Sequence, residues 1–381
     1  MDFKYHIANI IGFFVISVSL FFRVFINLRF GIIYTARVGH LCQNVDAYLS
    51  KKEKSEIAVF GTQKKISNKI ILENWKQNKG IYFNKLGFYG YFFLKNFFPN
   101  SKILIKWSEL YQNHSTFMLH RKNFNSIFLE NDKFKILNKL KIFNNPYICF
   151  HNRDNSYLNF FGNDGNDHTF RNFKINDFRK SIRFINKKKI KAIRVGRISN
   201  QKMLMSRNKY YLEFINKQSD DFTDLFLINN CEFFVSSATG ISNIASILRK
   251  KILLVNLIPF CLREMYQWTK GSIFIPKKIY SIEKKRLLKF SEIENLNYDI
   301  HEKNFFKKKK LRIINNTQEE ILEAVKEMLQ NYKKFNNKKY KNKLHKNFWK
   351  SFKDQKAVKI INGKLKLNIC DSFLRKNRQL I

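Results

Sequence analysis

The sequence predicts an α/β protein with a parallel sheet at its centre, and three observations carry that reading. Apolar runs of strand length, Tyr147 to His151, Ile190 to Val195, Glu232 to Ser236 and Ile252 to Asn256, alternate with stretches of helical spacing. One such stretch puts Ile175, Phe178, Ile182 and Ile185 on a single face, and another places Phe222, Leu225, Phe226 and Asn229. Strands separated by helices of this length build βαβ units and therefore a parallel sheet. The third observation is Thr317-Gln318-Glu319-Glu320, a capping box that opens a helix with Ile321, Leu322, Val325, Met328 and Leu329 on its apolar face.

From the start of the chain, Ile7 to Phe22 carries no charge, and apolar character resumes after Arg23. A membrane span needs roughly 20 residues, so this run reads either as a membrane helix, in-plane or tilted across, or as a buried first helix. No small-residue cleavage site follows it, which argues against a cleaved signal. Lys4 precedes the run, whereas Arg23, Arg29, Arg37 and Lys51 follow it. The positive-inside bias then places the remainder on the cytoplasmic face of the membrane. Residues 1–30 are thus expected to form a hydrophobic, membrane-associated helix.

Residues 31–145 form a first unit. Gly31 to Ala36 reads as a buried strand, Arg37-Val38-Gly39-His40 as a loop, and a helix follows through Val45, Tyr48 and Leu49. Glu56 to Phe60 is a second strand and Ile70 to Trp75 a helix start, while residues 81–98 have no clear period. The turn Asn144-Asn145-Pro146 closes this unit, and residues 146–335 make a second. The basic segment 336–381 still holds Phe348, Trp349, Phe352, Phe373 and Leu374, so it is expected to dock in part.

The chain has 381 residues, 44% of them hydrophobic, with only 4 Pro and 13 Gly, so a disordered or collagen-like protein is excluded. Its net charge is +43, from 72 Lys and Arg against 29 Asp and Glu. A nucleic acid or another anionic partner would explain that charge. Biased residue usage explains it better, because Lys greatly outnumbers Arg and is spread along the chain. No specific nucleic-acid partner is therefore expected, although a basic nucleic-acid-binding protein is the competing reading. Cys42, Cys149, Cys231, Cys261 and Cys370 are widely spaced and contain no CxxC pair. They support neither a disulfide framework nor a zinc site, and a reducing compartment fits them.

In a parallel sheet, ligands bind beyond the carboxyl ends of the strands. Three loops there draw attention: His151-Asn152-Arg153-Asp154, Arg194-Val195-Gly196-Arg197, and Ser236 to Asn243. The last combines Ser237, Thr239 and Gly240 ahead of a helix, where backbone N–H groups suit a phosphate. Arg153 and Arg197, each just past a strand end, are placed to form charge-assisted bonds to a diphosphate. Together the loops point to an anionic, nucleotide-type ligand. GxxxxGK[ST] and strand-linked GxGxxG are both missing, against a P-loop NTPase or a dinucleotide dehydrogenase. Asp220, Asp221 and Asp224 fit N-terminal capping better than a metal, and without a DxD triplet nothing points to a metal-held diphosphate.

At this point a resemblance enters. The stretch from Tyr147 to about Leu329 resembles the nucleotide-sugar-binding half of a family of bacterial GT-B glycosyltransferases. The matching pieces, in family order, are FHNRD with Tyr157, Arg171-Asn172, IRVGR, DFTDLFLINNCEFFVSSATGISNIA, ILLVN, IFIPK ending at Lys277, and INNTQEEILEAVKEML. RVGHLCQNVDAYL near the start and FLRKN at the end are also similar. More distantly, HNRD is similar to the His-x-Arg-x-Asp element of fucosyltransferase-like enzymes, with Asn152 and a single Arg where those often show two.

The resemblance implies two Rossmann-like domains with parallel sheets facing a cleft. It implies a transferase that moves a sugar from a nucleotide diphosphate to a surface-polysaccharide or lipid-linked glycan acceptor, without a metal or other cofactor. Arg153 and Arg197 become diphosphate ligands, and the loop with Ser237, Thr239, Gly240 and Asn243 cradles the same group. His40 becomes the general base, while His151 and Asp154 are alternatives more suited to shaping the donor pocket. A degenerate sugar-nucleotide-binding protein without turnover is the third reading.

Overall fold

A computed structural model describes residues 3–110, 124–130, 133–142, 145–160, 166–205, 208–216, 219–258, 269–296, 304–333 and 339–381. The chain divides into two compact units, residues 1–125 and 126–381. Each carries a parallel sheet, so the expected α/β class is what the chain adopts.

In the smaller unit, strands β1 (Asn27–Ile33), β2 (Glu56–Thr62) and β3 (Ile81–Phe83) lie side by side in sequence order, all parallel. Helix α1 (Phe3–Phe21) precedes them, α2 (Val38–Lys51) and α3 (Lys69–Lys76) form the crossovers, and α4 (Lys85–Phe97) follows. The stretch without a clear period, 81–98, thus splits into a short strand and an aromatic helix. The first strand begins at Asn27 instead of Gly31, because the charge of Arg29 is absorbed within the sheet edge. Its guanidinium donates to Glu109 at 2.9 Å and to the carbonyls of Lys102 and Leu104, with Glu56 at 3.4 Å. A charged residue so paired does not end a strand. No described helix is long and apolar enough to cross a membrane.

Among the described residues the main sheet of the larger unit has seven strands: β4 (Tyr147–Phe150), β5 (Lys191–Gly196), β6 (Tyr211–Ile215), β7 (Phe234–Ser236), β8 (Ile252–Leu257), β9 (Ile273–Pro276) and, near the chain's end, β13 (Asn368–Ile369). Their order across the sheet is β13-β9-β8-β7-β4-β5-β6, with every neighbouring pair parallel. A second, antiparallel sheet pairs β10 (Lys278–Ser281) with β11 (Arg286–Leu287) and β12 (Leu311–Ile314). The central strands β4, β5, β7, β8 and β9 are buried along their whole length, as continuous apolar runs covered on both faces should be. Helices α5 (Arg179–Lys187), α6 (Thr223–Asn230), α7 (Ser242–Ile247) and α8 (Gln318–Asn331) connect or follow them. The chain winds outward from β4 to β5 and β6, then returns to place β7 on the other flank of β4. The order therefore reverses between β4 and β7, the position where open α/β sheets leave a crevice for ligands.

The capping box at Thr317 forms as expected: Thr317 Oγ1 accepts from Glu320 N, and Thr317 N donates to Glu320 at 2.9 Å. Past α8, the basic segment docks through helices α9 (Lys343–Lys350) and α10 (Asp371–Lys376), burying Phe348, Trp349, Phe352, Phe373 and Leu374. Buried Glu327 fixes that docking by accepting from the backbone N–H of Asp371 (2.9 Å) and Ser372 (3.0 Å) and from Tyr340 (3.0 Å). Cys42, Cys149, Cys231 and Cys370 are free and buried, and Cys261 lies outside the described residues.

Candidate functional site

The loops leaving β4 and β7 meet at the switch point. His151 N donates to Val235 O at 2.9 Å, which ties the first residue past β4 to the end of β7. From that anchor the chain runs through Asn152, Arg153 and Asp154. The Ser236–Asn243 loop opposes it. Within this loop Ser242 Oγ is an internal brace: it donates to Thr239 O at 2.6 Å and accepts from Thr239 N at 3.1 Å. Thr239 is therefore largely occupied by its own loop. Ser237 Oγ and Asn243 Oδ1 are buried and meet no hydrogen-bond partner, with Ser237 only 1% and Asn243 8% exposed. Buried polar atoms are nearly always paired, so these two are open to a hydrogen bond from a further polar group. Helix α7 is only six residues long, so side chains and not a helix dipole must provide the attraction.

Those side chains are cationic. Arg171 lies in a short turn of 3₁₀ helix (Asn166–Arg171) and donates through Nη2 to Ala238 O, closing over the loop after β7. Lys277 stands directly after β9, 3% exposed, and its Nζ donates to Phe170 O at 2.7 Å and Asn172 O at 2.8 Å. Burial first, and then the charges of Arg171 and Arg153, push the Lys277 ammonium down to about 7, while Asp177 acts in the opposite direction. Lys277 thus feels two arginines across this crevice as well as the Asp177 carboxylate. A buried ammonium beside other cations is costly, and an anion that joins it lowers that cost.

The other expected residues have structural partners. His151 gives Nδ1 to Val195 O at 3.0 Å, and burial lowers it to about 4, so it stays neutral. Its ring lies where a side chain at residue 196 would stand: a Cβ there would approach Nδ1 to 2.7 Å, and Gly196 has φ +135°. Only glycine serves at that position. Asp154 accepts from Ser156 N at 3.0 Å and Ser199 Oγ at 2.5 Å. Arg197, past β5 and one strand away from the crevice, donates to Ser219 O at 3.2 Å and faces Asp221 at 3.6 Å. Gly240 lies in the turn before α7. Asp220 caps α6 by accepting from Phe222 N and Thr223 N, in line with the capping reading of that cluster. Asp224 is buried and accepts from Gly196 N.

Arg194 supplies the frame. Only 1% exposed, it donates to Ser199 Oγ (2.7 Å), Asn152 Oδ1 (3.3 Å), Gln201 O (2.8 Å) and Glu213 (3.1 Å), which locks the loop after β4 to the loop after β5. Lys277 and Arg171 are the site residues that strand-end reasoning missed. Lys277 had a legible signal, a lysine closing an otherwise apolar strand. Arg171, in an aperiodic turn well past its strand, had no such signal from the strand pattern and stood out only through the resemblance of the Arg171-Asn172 pair.

In the smaller unit, His40 falls in the first turn of α2, after β1. Its Nδ1 lies 3.2 Å from Asn44 Oδ1, and Asn44 Nδ2 donates to Leu110 O at 2.7 Å. That second bond fixes the amide so that its oxygen faces the ring. In the neutral imidazole Nδ1 then carries the proton, and Nε2 keeps its lone pair. Burial, then the charge of Arg37, lowers the His40 pKa, which favours that neutral form. Tyr34 and Trp107 flank the ring, with centroids 6.0 and 5.6 Å away.

No family model matches the chain, and no curated protein matches its sequence. Among solved structures it is similar to ADP-heptose lipopolysaccharide heptosyltransferase II of E. coli, with 10% identity over 60% of this chain and 84% of that one and a TM-score of 0.41. It is also similar to a glycosyl transferase family 9 protein of Veillonella parvula, with 9% identity over 60% and 80% and a TM-score of 0.38. A third is TibC of enterotoxigenic E. coli, with 11% identity over 60% and 58% and a TM-score of 0.34. These are distant likenesses of folding pattern. They also correct one expectation. TibC is described as an iron-containing glycosyltransferase, against the expectation of a transferase without a metal, and that expectation is not kept. Among the described residues, no group of three or more His, Cys, Asp or Glu is placed to hold a metal ion.

Proposed function

We propose that the protein is a glycosyltransferase whose larger unit binds the diphosphate of a nucleotide sugar in the crevice between β4 and β7. The observation that carries this reading is that Arg171 reaches the loop holding two buried, unpartnered polar atoms, Ser237 Oγ and Asn243 Oδ1, while buried Lys277 feels the charges of Arg171 and Arg153. A nucleotide sugar presents two adjoining phosphates and many hydroxyls, which suit paired cations and neutral amide or hydroxyl groups respectively. On departure, the nucleotide diphosphate takes the electron pair of the broken anomeric C–O bond, and the cations stabilise the charge it gains.

His40 is the group we assign to the acceptor. Its Nε2 takes the proton of an acceptor hydroxyl as that oxygen bonds to the anomeric carbon. The acceptor is read as a glycan hydroxyl, polymeric or lipid-linked. The test is product formation from pooled nucleotide sugars and glycan acceptors, followed by mass spectrometry. His40→Ala should lower kcat by about 10²–10⁴-fold while leaving donor affinity unchanged. Donor binding without product under any acceptor would identify a sugar-nucleotide-binding protein in place of an enzyme.

A further inference from the structure

From Ile7 onward helix α1 carries no charge, yet only one side of it is covered. Gly12, Ile16 and Ser19 face α4: a Cβ at Gly12 would meet Tyr89 O and Phe93 Cβ at 2.6 Å, Ile16 is 4% exposed and Ser19 is 8% exposed. The two helices run antiparallel, since Gly12 abuts Tyr89 and Phe93 while Asn9 accepts from Asn96 Nδ2 at 3.1 Å. The opposite side is open. Ile7, Ile10, Phe14, Val18 and Phe21 recur at intervals of three and four residues, one helical stripe, and are 41%, 59%, 62%, 58% and 77% exposed. Phe25, 82% exposed, extends the stripe beyond the helix, and Phe97 and Phe98, both over half exposed, lie at the end of α4 nearest Asn9. So many large exposed apolar residues at helical spacing exceed the single scattered ones that are ordinary on a protein surface.

Exposed cations border it. Arg23 follows α1, Lys85 opens α4 at the same end, and Lys95 and Lys102 stand around Phe97 and Phe98 at the other. An uncharged aromatic and aliphatic stripe with a basic border is the surface that seats in the headgroup region of an anionic bilayer. A second copy fits it less well, because stripe-to-stripe contact would bring the like-charged borders of two strongly basic chains together. We propose that α1, held on α4, lies in the plane of an anionic membrane surface with the Ile7–Phe25 stripe inserted and the basic residues at the lipid headgroups. This docking is independent of the glycosyltransferase reading. It keeps α1 on its unit, whereas a spanning helix would have to leave α4.

Flotation of the full chain with vesicles tests the proposal, comparing pure phosphatidylcholine with phosphatidylcholine containing about one-third phosphatidylglycerol. Binding should favour the anionic vesicles, weaken with salt, and be released by alkaline carbonate. Phe14→Glu/Phe21→Glu, both exposed and so compatible with folding by circular dichroism, should lower partitioning by about tenfold or more. Unchanged partitioning of that folded variant would overturn the proposal, as would retention of the wild type after carbonate. So would a vesicle-indifferent protein whose self-association, measured by ultracentrifugation, disappears in the variant; the stripe would then be a contact between copies.

Discussion

Lys277 is buried beside Arg153 and Arg171 with its ammonium pushed down to about 7, so near neutrality it holds its proton loosely. An anion in the crevice stabilises the charged form, and binding must then draw a proton from solution. Affinity for a nucleotide sugar, whose phosphates do not titrate in this range, should therefore rise as the pH falls from about 8 to about 6. Lys277→Met should bind more weakly and lose that pH dependence, which calorimetry in two buffers of different ionisation enthalpy would detect. Asp224 behaves differently. Burial raises its carboxyl to about 7, against the bonds from Gly196 N and Ser219 Oγ. Its contribution to stability is thus fully present below the ordinary carboxyl value of 3.8 and is lost as the pH rises to about 7. Asp224→Asn, which can still accept from Gly196, should flatten the denaturation midpoint over that window; an unchanged slope would contradict the assignment.

The elements around the crevice are held by Arg194, whose removal leaves Asn152, Ser199 and Glu213 without their common donor. Arg194→Ala should destabilise the larger unit by about 3–5 kcal/mol in urea unfolding, as the loss of one member of a buried charged network does. Arg153→Ala should leave the fold intact and weaken only ligand binding. The contrast shows what a sequence displays. Strands β4, β5, β7 and β8 were legible because both faces of each are covered, which leaves largely apolar runs, and the loops at their carboxyl ends followed. Which arginine in RVGR stays inside was not legible, since Arg194 and Arg197 are chemically alike and only the pleat puts the first within the sheet. The edge strand Tyr211–Ile215 escaped notice because it is only half-buried and carries Glu213. The capping box and the docked aromatic tail were readable, whereas Glu327, which fastens that tail, looked like any charge on a helix.

At the scale of the whole chain, the +43 charge and the cationic crevice are separate matters. Lysines scattered over a surface attract any polyanion weakly and lose it steeply with salt, while the proposed site sets buried Lys277 and two half-buried arginines near two buried polar atoms, Ser237 Oγ and Asn243 Oδ1. The docked C-terminal segment shows that even the most basic stretch takes part in folding and is not a free arm. Nucleic-acid binding should therefore be weak at physiological salt and indifferent to Arg171→Ala. The most direct measurement is a calorimetric titration of the full chain with UDP-, GDP- and ADP-sugars, repeated on Arg153→Ala/Arg171→Ala. At least one donor should bind the wild type with a Kd of about 1–100 µM and the folded double variant at least about a hundredfold more weakly. Equal affinity in both proteins, or no binding of any nucleotide sugar to the wild type, would contradict the account.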